Sequence, residues 1–207
     1  MNDASQMVFL IDDEPSVLKA LARVIGATGF RTASFSSPQS FLEQYEPAAR
    51  GCIVLDVSMP GFTGLELQQA LIEKNCSLPI VFLTARGDIP TSVRAMKHGA
   101  VDFLTKPVDD NDLIAAVDRA LAREATDHVR RAQITELQMR FSTLTSREQE
   151  VLGHVIAGRL NKQIAAVLGT TEKTVKVHRA RVMEKMQAQS LAELVRLSGT
   201  AGISPTP

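Results

Sequence analysis

Apolar and polar positions divide the chain into two regimes. In the first, short apolar runs alternate with stretches whose apolar residues return every three or four positions. Residues 7–11 (MVFLI) are apolar throughout and stop at Asp12-Asp13. Residues 52–55 (CIVL) stop at Asp56 and 79–83 (PIVFL) at Thr84; residues 100–105 (AVDFLT), a strand interrupted by Asp102, end at Lys106-Pro107. Unbroken apolar runs of this length belong to strands covered on both faces, as in a parallel sheet. Residues 30–35 read as one more strand. Between the strands, residues 16–27 carry Val17, Leu18, Leu21, Val24 and Ile25 at helical spacing and close at Gly29. Ser37-Pro38 opens a second helix, with proline in its first turn. Residues 64–74, 90–98 and 110–123 supply three more. Five alternating strand–helix units predict an α/β fold: a doubly wound, five-stranded parallel sheet with helices on both faces.

Residues 122–142 break the rhythm. They are charged, contain neither Gly nor Pro, and regain an apolar stripe only at Ile134, Leu137 and Phe141. They read as a helical linker, either continuous with the fifth helix or loosely joined to it. Beyond Leu144 every pattern is helical. Thr145-Ser146-Arg147-Glu148 has the form of a capped helix start, Val151, Leu152, Val155 and Ile156 form the core face, and Gly158 ends the helix. Further helices are expected over 161–168, 171–186 and 190–197. The tail 199–207, with small residues and two prolines, is expected to fray. The predicted organisation is a domain over 1–121, a linker over 122–142 and a small all-α domain over 143–207.

Composition sharpens this division. The 207 residues carry no net charge, but 1–121 hold 10 basic against 15 acidic side chains and 122–207 hold 13 against 8. An acidic half joined to a basic one predicts different partners, nucleic acid for the basic half. No apolar run approaches the ~20 residues of a membrane span. The polar start, residues 1–6, lacks the pattern of a secretory signal. Cys52 and Cys76 have no metal-ligand spacing and read as idle thiols, and the four histidines are scattered.

Chemistry gathers at the strand ends. In a doubly wound sheet the carboxyl ends of the strands share one rim, where ligands bind. Asp12, Asp13, Asp56, Thr84 and Lys106 all lie there. Three carboxylates together repel and call for a cation, and an all-oxygen site suits Mg²⁺. A carboxylate beside a metal can accept a phosphoryl group, with a lysine and a threonine hydroxyl stabilising its oxygens.

These residues resemble the receiver domain of two-component response regulators: Asp12-Asp13, Asp56-Val57-Ser58-Met59-Pro60-Gly61, Thr84-Ala85 and Lys106-Pro107. The resemblance implies that Asp56 accepts the phosphoryl group, that Asp13, Asp56 and the Ser58 carbonyl bind Mg²⁺ with Asp12 acting through water, and that Thr84 and Lys106 contact the phosphoryl oxygens. It implies a cis Lys106-Pro107 bond, and Phe103 as a switch aromatic that turns inward when Thr84 moves, changing the face of the fourth helix and fifth strand.

In the second half, residues 171–186 carry Lys173, Thr174, Lys176, His178, Arg179, Arg181 and Lys185 around an apolar face of Val175, Val182 and Met186. A short helix and Leu168-Gly169-Thr170 precede it, the layout of a helix-turn-helix whose second helix enters the DNA major groove. The residues 144–152 (LTSREQEVL), Gly158, 161–165 (NKQIA) and 174–178 (TVKVH) resemble the LuxR-type DNA-binding domain. That resemblance implies DNA contacts from Asn161, Lys162, Lys173, Thr174, Lys176, Val177, His178 and Arg181, and a structural Glu148. The whole layout resembles response regulators of the FixJ type. It implies a cytoplasmic transcription regulator, an activator rather than a repressor, that is not an enzyme beyond losing its own phosphoryl group. Its partners would be a sensor histidine kinase, double-stranded DNA and RNA polymerase, and it would form a homodimer when phosphorylated. Two alternatives stand: a DNA-binding regulator with a silent receiver, and an aspartate-nucleophile phosphatase of the haloacid-dehalogenase type, which usually has an acidic residue where Ser58 stands.

Overall fold

A computed structural model describes residues 6–85 and 89–206; the polar start that bears on a secretory signal lies, at residues 1–5, outside them. The chain forms two compact units, Met1–Asp127 and His128–Pro207.

The first unit holds β1 (Met7–Ile11), α1 (Pro15–Ala27), β2 (Arg31–Phe35), α2 (Pro38–Gln44), β3 (Gly51–Asp56), α3 (Gly64–Glu73), β4 (Ile80–Thr84), α4 (Ile89–Lys97) and β5 (Asp102–Thr105). All strand pairs are parallel, in the order β2-β1-β3-β4-β5. The order reverses between β1 and β3, which puts the switch point of the sheet at the ends of these two strands. Alternation along each strand sends side chains into two separate cores. Val8, Leu10, Cys52, Val54, Val81 and Leu83 face α1 and the first part of α5 (Asp110–Ser142). Ile11, Ile53, Leu55, Ile80 and Phe82 meet Phe41 of α2, Leu67 and Leu71 of α3, and Ala95 of α4. This two-sided burial is the physical reason the central strands read as continuous apolar runs. Edge strand β2 is only partly buried and accordingly mixes Arg31, Thr32 and Ser34 among its residues.

β5 begins later than its apolar pattern predicts. Ala100 N–H instead closes the end of α4 on Ala95 O (3.2 Å), and Val101 N–H reaches Ile80 O (2.8 Å) before the strand proper starts. The Lys106-Pro107 peptide is cis. The helix from Asp110 runs to Ser142 in one span, so residues 122–142 are helical throughout. Within the first unit Glu124 of this helix is buried and bound by Arg50 (3.1 and 3.2 Å) and Gln6 (2.9 Å).

The second unit packs α6 (Ser146–Ile156), α7 (Asn161–Val167), α8 (Glu172–Lys185) and α9 (Leu191–Thr200) around Val151, Leu152, Ile164, Val175, Val182, Met186 and Leu194. Thr145 and Glu148 form a reciprocal cap on α6. The expected fraying of the tail is not what the structure has. Ile203 packs on the core, and Thr206 N–H donates to Gly153 O at 3.1 Å. Gly153 makes this possible, because a Cβ there would lie 2.0 Å from Thr206 Oγ1.

Candidate functional site

The rim residues meet as the topology requires. Asp12 follows β1 directly and is 1% exposed; its Oδ1 accepts from Glu14 N–H (2.9 Å), a local turn that leads the chain into α1. Asp56 ends β3, is 4% exposed, and its Oδ2 accepts from Ser58 N–H (2.8 Å). Lys106 joins them: its Nζ lies 2.6 Å from Asp12 Oδ2 and 2.6 Å from Asp56 Oδ1. The lysine is placed by its own backbone, since Lys106 N–H donates to Thr84 O at 2.7 Å. Thr84, buried at the end of β4, thereby stands beside the same cluster, with Asp56 in register with the preceding Leu83. Gly64, first residue of α3, presses against the strand that ends in Asp56. A Cβ at Gly64 would meet Asp56 O at 2.2 Å, and Gly64 N–H donates to Val57 O.

Burial works against the Lys106 charge. The hydrogen bonds to Asp12 and Asp56, and their negative charges, outweigh it and hold the ammonium pKa above the ordinary lysine value. One ammonium against two carboxylates leaves one negative charge uncompensated at the rim. Asp13 is exposed, and among the described residues no group of three His, Cys, Asp or Glu side chains is placed to hold a metal ion. Asp12 and Asp56 share the Lys106 ammonium, whereas Asp13, the residue after Asp12, is open to solvent. Ser58, also exposed, meets Asp56 through its N–H. Phe103 is half-buried on β5, beside Phe82 with ring centroids 6.0 Å apart, at the margin of the second core. Arranged this way, the rim offers the Asp56 carboxylate with Oδ2 held by a backbone N–H and Oδ1 by an ammonium, and a second carboxylate alongside.

In the second unit, Lys173, Thr174, Lys176, Val177 and Arg181 are exposed on α8, and Lys162 on α7. Thr174 is tied into the helix start, its N–H on Thr171 Oγ1 (3.2 Å) and its hydroxyl 2.9 Å from the same atom. Asn161 Oδ1 accepts from Arg179 Nη1 (3.2 Å), so Arg179 positions α7 against α8; nothing in its spacing separates it from its basic neighbours. His178 is half-buried. Lys185, basic like the others in sequence, turns away from that role. It pairs with buried Glu148 (2.6 Å) and donates to Thr143 O (3.0 Å). The Lys185 hydrogen bond, then the Thr145 backbone N–H, hold the Glu148 carboxyl down at about 2, against the opposing effect of desolvation.

Comparison with known proteins agrees with this geometry. Residues 8–118 match the response regulator receiver domain, and 142–198 match the LuxR family of bacterial regulatory proteins. Nodulation protein W of Bradyrhizobium diazoefficiens is 43% identical over 96% of this chain and 87% of its own. The transcriptional regulatory protein FixJ of Azorhizobium caulinodans is 42% identical over 96% and 94%. The solved structure of the response regulator StyR superposes with a TM-score of 0.82 at 45% identity, covering 95% of this chain and 99% of that one. The chain belongs to the response regulators that join a receiver to a LuxR-type helix-turn-helix, and it is a transcription regulator of the two-component class. A receiver implies a kinase partner, and a LuxR-type domain implies DNA binding. The phosphatase alternative leaves the second match unexplained. No helix among the described residues is long and apolar enough to cross a membrane.

Proposed function

We propose that Asp56 is the phosphoacceptor and that its phosphorylation by a partner histidine kinase controls dimerisation and sequence-specific DNA binding by α8, activating transcription through RNA polymerase in the cytoplasm. The observation that carries this is the single Lys106 ammonium 2.6 Å from both Asp12 and Asp56. In the transfer, an Asp56 carboxylate oxygen attacks phosphorus, the bond from phosphorus to the donor's leaving atom breaks, and the leaving group departs with the bonding pair. Lys106 then pairs with a phosphoryl oxygen, and the Thr84 hydroxyl donates to another. Drawing Thr84 toward the new group frees space that the Phe103 ring fills by turning inward, and the α4–β5 face changes for a second copy. Loss of the phosphoryl group to water is the protein's own slow reset, its one hydrolytic step.

The donor set fits Mg²⁺: hard oxygens, one uncompensated negative charge, and an ion that needs only one or two carboxylates because it keeps several waters. Asp13, Asp56 and the Ser58 carbonyl would hold it, with Asp12 through water. Bound there, it would neutralise phosphoryl charge. Residues 1–121 act as the receiver, 122–142 as linker and 143–207 as the DNA-binding domain. Lys173, Lys176, Val177, His178 and Arg181 face base edges and backbone, with Asn161, Lys162 and Thr174 flanking them. Dimers on paired half-sites fit the modest basic excess of the domain, 9 basic against 5 acidic side chains over 144–199. Intact mass after incubation with Mg²⁺ and acetyl phosphate tests the assignment: one phosphoryl adduct on the wild type and none on Asp56→Asn is expected, and an equal adduct on both overturns it.

A further inference from the structure

Helix α4 is held lightly along its length. Only Ala95 is buried among its residues, while Ile89 is 77% exposed and Val93 and Met96 are 45% exposed. Burial of one methyl group anchors a helix weakly. The C-terminal end is held by something else. Gln68, on α3 and 1% exposed, donates through Nε2 to Ala95 O at 3.1 Å and to His98 O at 3.4 Å. Ala95 O also takes Ala100 N–H at 3.2 Å, and His98 O lies just past the last helical residue, where a helix runs out of its own donors. Gly99, at φ +91°, turns the chain here, and Val101 N–H then ties it to β4. An apolar side chain would fill the Gln68 site without the cost of desolvating an amide, so the hydrogen bonds are what the amide contributes.

Gln68 also has a line to the acceptor strand. Gly64 and Gln68 are four residues apart on α3, on one helix face. Gly64 sits hard against the Asp56 backbone. The face of α3 that touches the Asp56 strand therefore carries the amide that grips α4.

We propose that Gln68 is the pivot of α4, a positioning residue that fixes the C-terminal end of the helix while its exposed N-terminal end moves. This rests on the reading that phosphorylation of Asp56 changes the α4–β5 face. Displacement is then a rotation about the Ala95–His98 turn rather than a translation of the whole helix.

Two measurements test it. The first uses the wild-type full chain and amide hydrogen exchange with and without acetyl phosphate and Mg²⁺. Amides of residues 89–93 should change protection, and those of 95–100 should keep theirs. Equal changes in both halves overturn the pivot. The second uses Gln68→Met, which keeps an unbranched side chain of similar length and removes the donors. Exchange at 95–100 should rise by at least about threefold without phosphodonor, the scale of losing one or two neutral hydrogen bonds. The ratio of dimer dissociation constants without and with acetyl phosphate should fall at least about threefold, while the phosphoryl adduct in intact mass is unchanged. Wild-type exchange at 95–100 and a wild-type ratio in this variant refute the role. A wild type that takes up no phosphoryl group would count against the Asp56 reading, whereas exchange at 95–100 in Gln68→Met without phosphodonor would still decide the pivot.

Discussion

Glu148 and Lys185 give the most quantitative prediction. Glu148 is buried in the second unit, accepts from Thr145 N–H at 2.9 Å and pairs with Lys185 at 2.6 Å. Replacing it by Gln keeps a capping acceptor and removes the charge pair. A carboxyl held at about 2 against an ordinary 4.5 corresponds to roughly 3 kcal/mol at ~1.36 kcal/mol per unit. Lys185 is 34% exposed, so solvent screening reduces this to about 1–2 kcal/mol. Folding depresses this pKa, so the stabilisation is complete above 4.5 and is lost as pH falls from there to about 2. The assay must see the second unit alone. The chain has no Trp and its one Tyr, Tyr45, lies in the first unit, so intrinsic fluorescence is blind to it. Hydrogen exchange at the Val151, Leu152 and Val175 amides is not. At pH 7, Glu148→Gln should speed exchange there about 5- to 30-fold relative to the wild type, with the receiver amides unmoved. The gap should close as pH approaches 2. Lys185→Met should cost more, because it leaves a buried carboxylate without its partner. Equal exchange in wild type and Glu148→Gln at pH 7, or a gap that persists at pH 2, would refute the reasoning.

Lys106→Ala should still accept a phosphoryl group on Asp56 but lose the dimerisation that follows, read by light scattering on samples whose adduct is measured by mass; normal coupling would remove Lys106 from the switch. Lys176→Ala should weaken DNA binding by roughly 1–3 kcal/mol while phosphorylation stays intact, measured by titration of a labelled duplex carrying the target site; loss of both activities would signal misfolding. Cys52 should resist maleimide in the native protein while half-exposed Cys76 reacts, because burial first, and then the Glu124 charge, push the Cys52 thiol up to about 12; rapid labelling at Cys52 would contradict the packing of β3.

The sequence made the sheet legible because its central strands are buried on both faces, leaving runs such as residues 52–55 without a polar residue until Asp56. The rim cluster was legible for the same reason: each polar residue stands where an apolar run stops. What pattern could not supply was direction. Asp12 and Asp13 are indistinguishable in sequence, yet one is buried against Lys106 and the other is exposed, because alternation along the chain emerging from β1 turns successive side chains opposite ways. Lys185 looks like the other bases of α8, and only the packing of α6 against α8 shows that it serves Glu148. Tail docking depends on Gly153, a residue whose effect lies in the side chain it lacks. Gln68 reads as an ordinary polar position of an amphipathic helix until α4 is placed above it.

The central claim is that one phosphoryl group on Asp56 controls assembly and DNA binding. The most direct test is intact mass and oligomer mass on the same samples, wild type beside Asp56→Asn, with Mg²⁺ and acetyl phosphate. One adduct and a shift from monomer to dimer are expected in the wild type alone. A dimer that forms equally in Asp56→Asn, or an adduct that leaves the wild type monomeric, would contradict it.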